Sequence, residues 1–154
     1  MTPQMPCFAR FRLRLPLVAV TLLTISNWAS AGFDPCAGGS GPVFTVTNQG
    51  AGSYVVNGVL DPTLTLVRGC TYPFNITANG HPFVIKTIRE AGSDNAYDNG
   101  IVGNRTEIGT MTWTVQASTP NVLYYVCEIH TAMSAPINFI DAPPEPPLFA
   151  SDFE

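Results

Sequence analysis

The chain has little positive charge and almost no histidine. Its 154 residues include seven Lys and Arg and only two His. Three of the seven basic residues, Arg10, Arg12 and Arg14, lie in a segment that we predict to be removed, which leaves four basic residues against eleven acids and a net charge of −7. This acidity argues against nucleic acid and anionic membrane surfaces as partners. The shortage of histidine also leaves no arrangement typical of Ser-His-Asp or Cys-His hydrolases.

No apolar run is long enough to cross a bilayer. The main run, LPLVAVTLLTI (15–25), has 11 residues, whereas a transmembrane helix needs about 20. It follows an arginine-containing start without acids and precedes the small residues of ASA (29–31), an order typical of secretory signal peptides. We predict that residues 1–31 are a signal peptide cleaved after Ala31. The protein is then expected to be secreted or periplasmic, with no membrane insertion after cleavage.

Helical periodicity is also missing, and alternation of apolar and polar residues takes its place. Alternating segments rich in β-branched and aromatic residues are typical of half-buried strands. Such segments cover residues 43–49, 54–58, 63–69, 72–77, 81–88, 110–117, 121–130 and 135–140. Seven or eight short strands predict an all-β fold, a Greek-key β-sandwich or barrel, over residues 43–140. Residues 32–42 form a short N-terminal segment before it.

Two stretches do not fit this strand pattern. REAGSDNAYDNGIVGNRTEIG (89–109) is polar and long for a connection between strands, so it is either a functional loop or a mobile excursion. DAPPEPPLFASDFE (141–154) contains four prolines and four acids. We predict that this tail is extended and disordered.

Three cysteines, an odd number, would remain after signal cleavage. Cys7 would leave with the signal peptide, and Cys36, Cys70 and Cys127 would remain in an oxidising compartment. If Cys127 has a separate role, Cys36 and Cys70 are the natural disulfide pair. The alternatives are that another two of the three pair, or that none do.

The segment LYYVCEIHTAMS (123–134) places a cysteine, a histidine and a methionine close together. These are Cys127, His130 and Met133, and the other histidine, His81, begins HPFVI. Two imidazoles, one thiolate and a weak axial thioether are the ligands of a mononuclear blue-copper site. Each residue alone has a simpler interpretation, as a buried thiol, a turn histidine or a core methionine. Zinc is a weaker alternative, because a Cys-His-His set can hold it but gains little from a methionine.

The order of these residues in a small β-domain resembles that of the cupredoxins. The spacing from Cys127 to His130 and Met133 resembles the short ligand loop of amicyanins, and LTLVRGCTYPFNITANGHPFVI resembles plastocyanin-like domains of secreted bacterial proteins. The resemblance covers roughly residues 43–140. It implies one type 1 copper per chain, with His81, Cys127 and His130 as the strong ligands and Met133 as the weak axial ligand. It also implies a monomer that carries single electrons between redox partner proteins and is not an enzyme, with His130 nearest the surface.

The sequence departs from the cupredoxin pattern at two places. Pro82 follows the first histidine and has no backbone N–H, whereas cupredoxins usually donate an N–H to the sulfur from that residue. Ser134 follows Met133, where the family often has glycine. Two alternatives therefore stay open, a copper-free binding or structural module and a copper storage or delivery protein. A ligand set predicts that the His81 ring nitrogen lies roughly 3–4 Å from the Cys127 sulfur and from the His130 nitrogen.

Overall fold

The computed structural model describes Cys36 and residues 39–143. The predicted signal peptide and residues 144–154 of the predicted tail lie outside this part of the chain. Within it, no helix combines the length and the hydropathy that a membrane crossing requires.

Ten strands in two sheets make up the described part of the chain. They are β1 (Phe44–Gln49), β2 (Ser53–Val56), β3 (Val59–Leu60), β4 (Leu64–Val67), β5 (Thr71–Thr77), β6 (Phe83–Lys86), β7 (Ile101–Val102), β8 (Ile108–Thr114), β9 (Val122–Cys127) and β10 (Ser134–Ile140). One sheet has six strands in the order β3-β2-β1-β5-β8-β7, and the other has four in the order β4-β10-β9-β6. The chain passes repeatedly from one sheet to the other, and the pairs β1–β5 and β4–β10 are parallel.

The predicted all-β sandwich is confirmed, and the strand count differs from the seven or eight expected. The two additional strands, β3 and β7, have two residues each, too few for alternation to reveal. The segments predicted over 81–88 and 121–130 are shorter than expected at the ends that carry the histidines. Strand β6 begins at Phe83 and β9 ends at Cys127, so His81 and His130 lie in turns.

The core lies between the two sheets and follows the alternation of the sequence. In β9, Leu123, Tyr125 and Cys127 share the inner face and are at most 1% exposed. Aromatic rings fill much of the interior, and the Phe83 ring stacks on Tyr125 with centroids 5.3 Å apart. Rings of this size bury much apolar area, which is the main source of stability in a small domain. Cys127 is thus fixed at the end of β9, with its side chain buried on the inner face.

The long polar segment 89–109 covers one edge of the four-stranded sheet. Strand β6 is that edge, and isolated bridges join Phe83 to Thr106 and Lys86 to Ala96. Lys86 is fully buried, and its ammonium group donates to the carbonyls of Glu90 at 3.0 Å and Gly92 at 2.6 Å. The edge strand thereby gains hydrogen-bond partners, which an exposed edge would lack.

A disulfide joins Cys36 to Cys70, with their Cα atoms 5.4 Å apart. The predicted pair is therefore present, and it ties the segment before β1 to the start of β5. Cys127 is a free and buried thiol. The disulfide alternatives that would have consumed Cys127 do not occur in the structure.

Candidate metal centre

Three strand ends meet at one end of the four-stranded sheet. Phe83 and Cys127 are directly opposite each other in the antiparallel β6–β9 pair, so the turn before β6 lies beside the end of β9. Strand β10 begins at Ser134, opposite Val126. Register therefore brings His81 next to the segment 127–134, although 46 residues separate His81 from Cys127.

The three donor atoms form a compact triangle. The His81 Nδ1 atom lies 3.2 Å from His130 Nδ1 and 3.8 Å from Cys127 Sγ, and His130 Nδ1 lies 3.7 Å from the same sulfur. These distances fall in the window of roughly 3–4 Å expected for ligands of one ion. The point equidistant from all three atoms is about 2.1 Å from each, within the 2.0–2.3 Å typical of imidazole and thiolate bonds to a metal of this size.

The donor chemistry also fits a soft transition metal. The ligand atoms of His81, Cys127 and His130 all lie within 4.8 Å of one another, close enough to hold one ion. A thiolate with two imidazoles suits copper or zinc and is unsuited to calcium or magnesium, which prefer oxygen. Cys127 is fully buried and the two histidines are half-buried, so the site lies just below the surface.

A tight turn presents His81. The His81 N–H donates to the Ala78 carbonyl at 2.9 Å, and Gly80 has a φ of +77°. A positive φ at the third position of such a turn requires glycine or asparagine, because other side chains clash with the backbone there. The Glu107 carboxylate accepts the Gly80 N–H at 2.8 Å. Segment 89–109 therefore holds the turn that carries the first histidine.

The segment from Cys127 to Met133 is closed by its own backbone. The Cys127 N–H donates to the Met133 carbonyl, and the Met133 N–H donates to the His130 carbonyl, both at 3.0 Å. These bonds fold His130 back toward the Cys127 sulfur. The Met133 side chain is fully buried and belongs to the hydrophobic core cluster.

Two arginines of segment 89–109 brace this loop. The Arg89 guanidinium donates to the Ser134 hydroxyl oxygen at 2.6 Å and to the Ser134 carbonyl at 2.8 Å. Arg105 forms an ion pair with Glu128, Nε to Oε1 2.6 Å. The residues flanking the ligands are thus held from outside the loop. Hydrogen-bond partners of this kind orient metal ligands and affect metal affinity strongly.

The sequence alone did not identify these bracing residues, and it left the role of segment 89–109 open. One signal was available, since Arg89 and Arg105 are two of only four basic residues after position 31 and both lie in this segment. Their partners, Ser134 and Glu128, adjoin Met133 and Cys127. The structure shows segment 89–109 in contact with the residues beside Met133 and Cys127.

Pro82 contributes its carbonyl to the site region. The Pro82 oxygen accepts the Glu128 N–H at 3.3 Å and the Tyr54 hydroxyl at 3.0 Å. The His81 carbonyl accepts the same hydroxyl at 2.9 Å. The His81–Pro82 segment is therefore joined to β9 and to the six-stranded sheet through its carbonyl oxygens, although Pro82 has no N–H.

Comparisons with known proteins found solved structures that are similar to this chain. No protein-family model matches the sequence, and no curated protein matches it closely. Similar solved structures include the copper protein rusticyanin, at 22% identity over 64% of this chain and 76% of that chain, with a TM-score of 0.47. A structure of rusticyanin from Thiobacillus ferrooxidans gives the same identity and coverage with a TM-score of 0.46. These values are too low to carry a function across, so the metal assignment rests on the side-chain geometry.

The fold and the candidate site can be compared with the class of protein that the sequence predicted. The chain is a two-sheet β-sandwich with a His-Cys-His group at one end of the smaller sheet. This combination agrees with the resemblance to the cupredoxins that the sequence suggested.

Proposed function

We propose that this protein is a secreted or periplasmic electron carrier with one type 1 copper ion per chain, and that it is not an enzyme. The observation that carries the proposal is the triangle of His81 Nδ1, His130 Nδ1 and Cys127 Sγ, with sides of 3.2, 3.7 and 3.8 Å. Near-trigonal coordination by two imidazoles and a thiolate is characteristic of blue-copper sites.

Each ligand has a distinct role in this proposal. Cys127 supplies a thiolate and His81 and His130 supply imidazoles, and Met133 is the weak axial ligand because it follows in the same closed loop. A bound copper ion would supply a one-electron redox couple. Four protein ligands leave no open position for a substrate, so electron transfer is favoured over catalysis on a bound molecule.

The surroundings support electron transfer by limiting movement of the ligands. Arg89, Arg105 and Glu107 hold the residues next to Met133, Cys127 and His81 by hydrogen bonds of 2.6–2.8 Å. A ligand set held from several sides changes little between two oxidation states, which keeps the rearrangement on electron transfer small.

The surface beside the ligands suits a brief contact with a redox partner protein. Ile129, which immediately precedes His130, is 58% exposed. His81 and His130 are both half-buried, so exposure alone does not single out His130 as the route for the electron. We propose that the protein acts as a monomer and that this end of the sandwich meets its redox partners.

Copper reconstitution tests the proposed function. Protein produced without residues 1–31 is titrated with Cu(II) while its visible absorbance and electron paramagnetic resonance are recorded. We expect saturation at one copper per chain with an intense thiolate-to-copper band, and reversible one-electron reduction. Cys127→Ser should keep the fold, because serine is close in size, and should lose the band.

Two outcomes would decide for the alternatives. Stoichiometric copper binding without the thiolate band would exclude a type 1 site, and rapid loss of copper to a weak chelator would favour storage or delivery. Absence of copper binding in a folded protein with a free Cys127 thiol would favour the copper-free module.

A further inference from the structure

Tyr54 reaches the metal centre from the opposite sheet. It lies on β2 of the six-stranded sheet, is fully buried, and points its hydroxyl group across the core. The hydroxyl oxygen is 2.9 Å from the His81 carbonyl oxygen and 3.0 Å from the Pro82 carbonyl oxygen. A single hydroxyl group therefore contacts the carbonyls of two successive peptide groups, the one before Pro82 and the one after it.

The Tyr54 side chain is held in one position. Its ring packs edge-on against Phe83, with centroids 5.0 Å apart, and lies 6.1 Å from the Tyr125 ring. Its own backbone N–H donates to Asp61 Oδ1 at 2.9 Å. A rigid aromatic ring fixed by packing can define the position of whatever its hydroxyl group binds.

The Tyr54 hydroxyl group stays protonated and so remains a donor to these carbonyls. Burial is the largest cause that raises the pKa of Tyr54 above its ordinary value of 10.0. The proton therefore stays on the oxygen at any physiological pH.

The Pro82 carbonyl links these contacts to β9. It accepts the hydroxyl of Tyr54 and also the N–H of Glu128, the residue after Cys127. Because Pro82 has no N–H, its oxygen is the only backbone group through which this residue can be held. Loss of the Tyr54 donor would leave two half-buried carbonyls with fewer partners and would release the turn that carries His81.

We propose that Tyr54 is a positioning residue of the metal site, which fixes the His81–Pro82 backbone against the end of β9 and sets the His81 imidazole relative to the Cys127 sulfur. This inference rests on the proposed function, since it concerns the same ligands. Tyr54, a residue of the opposite sheet, would thus provide the anchoring that Pro82 cannot provide because it has no backbone N–H.

Tyr54→Phe and Tyr125→Phe form a matched pair for the test. Both tyrosines are fully buried, and each donates to a proline carbonyl, Tyr125 to Pro62 at 2.8 Å. Copper affinity is measured by competition with a chelator, together with the position and intensity of the thiolate band. We expect Tyr54→Phe to bind Cu(II) roughly 10-fold more weakly with a shifted band, and Tyr125→Phe to stay within about 2-fold of the unmodified protein. Equal behaviour of the two variants would overturn the proposal.

A second measurement separates this proposal from the proposed function. Amide exchange of Glu128 in metal-free protein reports on its hydrogen bond to Pro82, and it should be faster in Tyr54→Phe than in Tyr125→Phe at equal global stability. Unchanged exchange would contradict the positioning role even if copper binds. Failure of the unmodified protein to give a thiolate band, with faster exchange in Tyr54→Phe, would reject the copper function and keep the positioning role.

If Tyr54→Phe does not fold, the unmodified protein still allows a test. The Tyr54 hydroxyl proton should exchange slowly enough to be seen by nuclear magnetic resonance, and its resonance should move when Cu(I) is added. The Tyr125 hydroxyl proton should not move. A Tyr54 proton that is insensitive to Cu(I) binding would count against the inference.

Discussion

Replacement of Arg89 by methionine should weaken both the fold and the metal site. The Arg89 guanidinium makes two hydrogen bonds to Ser134, at 2.6 and 2.8 Å, and Ser134 is 1% exposed. Hydrogen bonds from a charged donor contribute about 1.5–3 kcal/mol each. Much of Arg89 is exposed, so water replaces part of what is lost. We expect a fall of about 2–3 kcal/mol in the free energy of unfolding.

The same replacement should also loosen the loop from Cys127 to Ser134, which contains three of the proposed ligands. Ser134 adjoins Met133 and starts β10, and its hydroxyl group donates to the Thr131 carbonyl at 2.6 Å. Without Arg89, this hydroxyl and the Ser134 carbonyl lose their external partner. Copper affinity should fall roughly 10-fold to 100-fold, as it does when groups that orient metal ligands are removed.

Arg68→Met provides the matched control. Arg68 holds the other end of β10, where its backbone N–H donates to the Ile140 carbonyl and its guanidinium contacts Thr119, Asn121 and Asp141. That end lies about 20 Å from Ser134, given the rise per residue in a strand. Arg68→Met should lose at least as much stability, measured by urea unfolding, with copper affinity unchanged. An equal loss of affinity in both variants, or none in Arg89→Met, would refute the bracing role.

Two further predictions concern the fold. Removal of the disulfide by Cys36→Ser with Cys70→Ser opens a loop of 34 residues. The free energy of unfolding should fall by about 4 kcal/mol, and the thermal midpoint measured by calorimetry should fall by roughly 15 °C or more. A midpoint within a few degrees of that of the unmodified protein would contradict this. Burial raises the pKa of Tyr54, Tyr72 and Tyr125 above the ordinary value of 10.0, so these groups keep their protons in the folded state while the unfolded chain loses them. Stability should therefore be complete below pH 10 and fall above it, by up to about 1.4 kcal/mol per pH unit for each tyrosine. Urea unfolding between pH 8 and pH 11 checks the slope, which should be shallower in Tyr125→Phe, and a flat profile would show that the tyrosines are not buried as described.

The sequence was sufficient to predict the sandwich and the proximity of His81, Cys127 and His130. Alternation together with β-branched and aromatic enrichment located the eight longer strands, since a half-buried strand imposes a two-residue period on its side chains. The prediction of strand ends was less successful. His81 and His130 were placed at strand ends, yet β6 and β9 stop short of them, and their loop positions depend on the hydrogen bonds of Ala78, Glu107 and Met133.

The supports of the site could not be predicted, because they are contacts between residues far apart in the chain. Tyr54 contacts the backbone 27 and 28 residues further on, and Arg89 contacts a residue 45 positions away. Neither follows a local motif, since each depends on the register and packing of two sheets. The short strand that carries Tyr54 reads as an ordinary alternating strand. The chemistry of a ligand set can thus be visible in sequence while the groups that hold it in place are not.

X-ray absorption spectroscopy of the copper-loaded protein tests the central claim most directly. The triangle of donor atoms predicts one sulfur and two imidazole nitrogens around the copper, with bond lengths of about 2.0–2.3 Å. The contribution of this short copper–sulfur bond should disappear in Cys127→Ser. A copper spectrum that shows only nitrogen and oxygen ligands in the unmodified protein would contradict the assignment of His81, Cys127 and His130 as a blue-copper site.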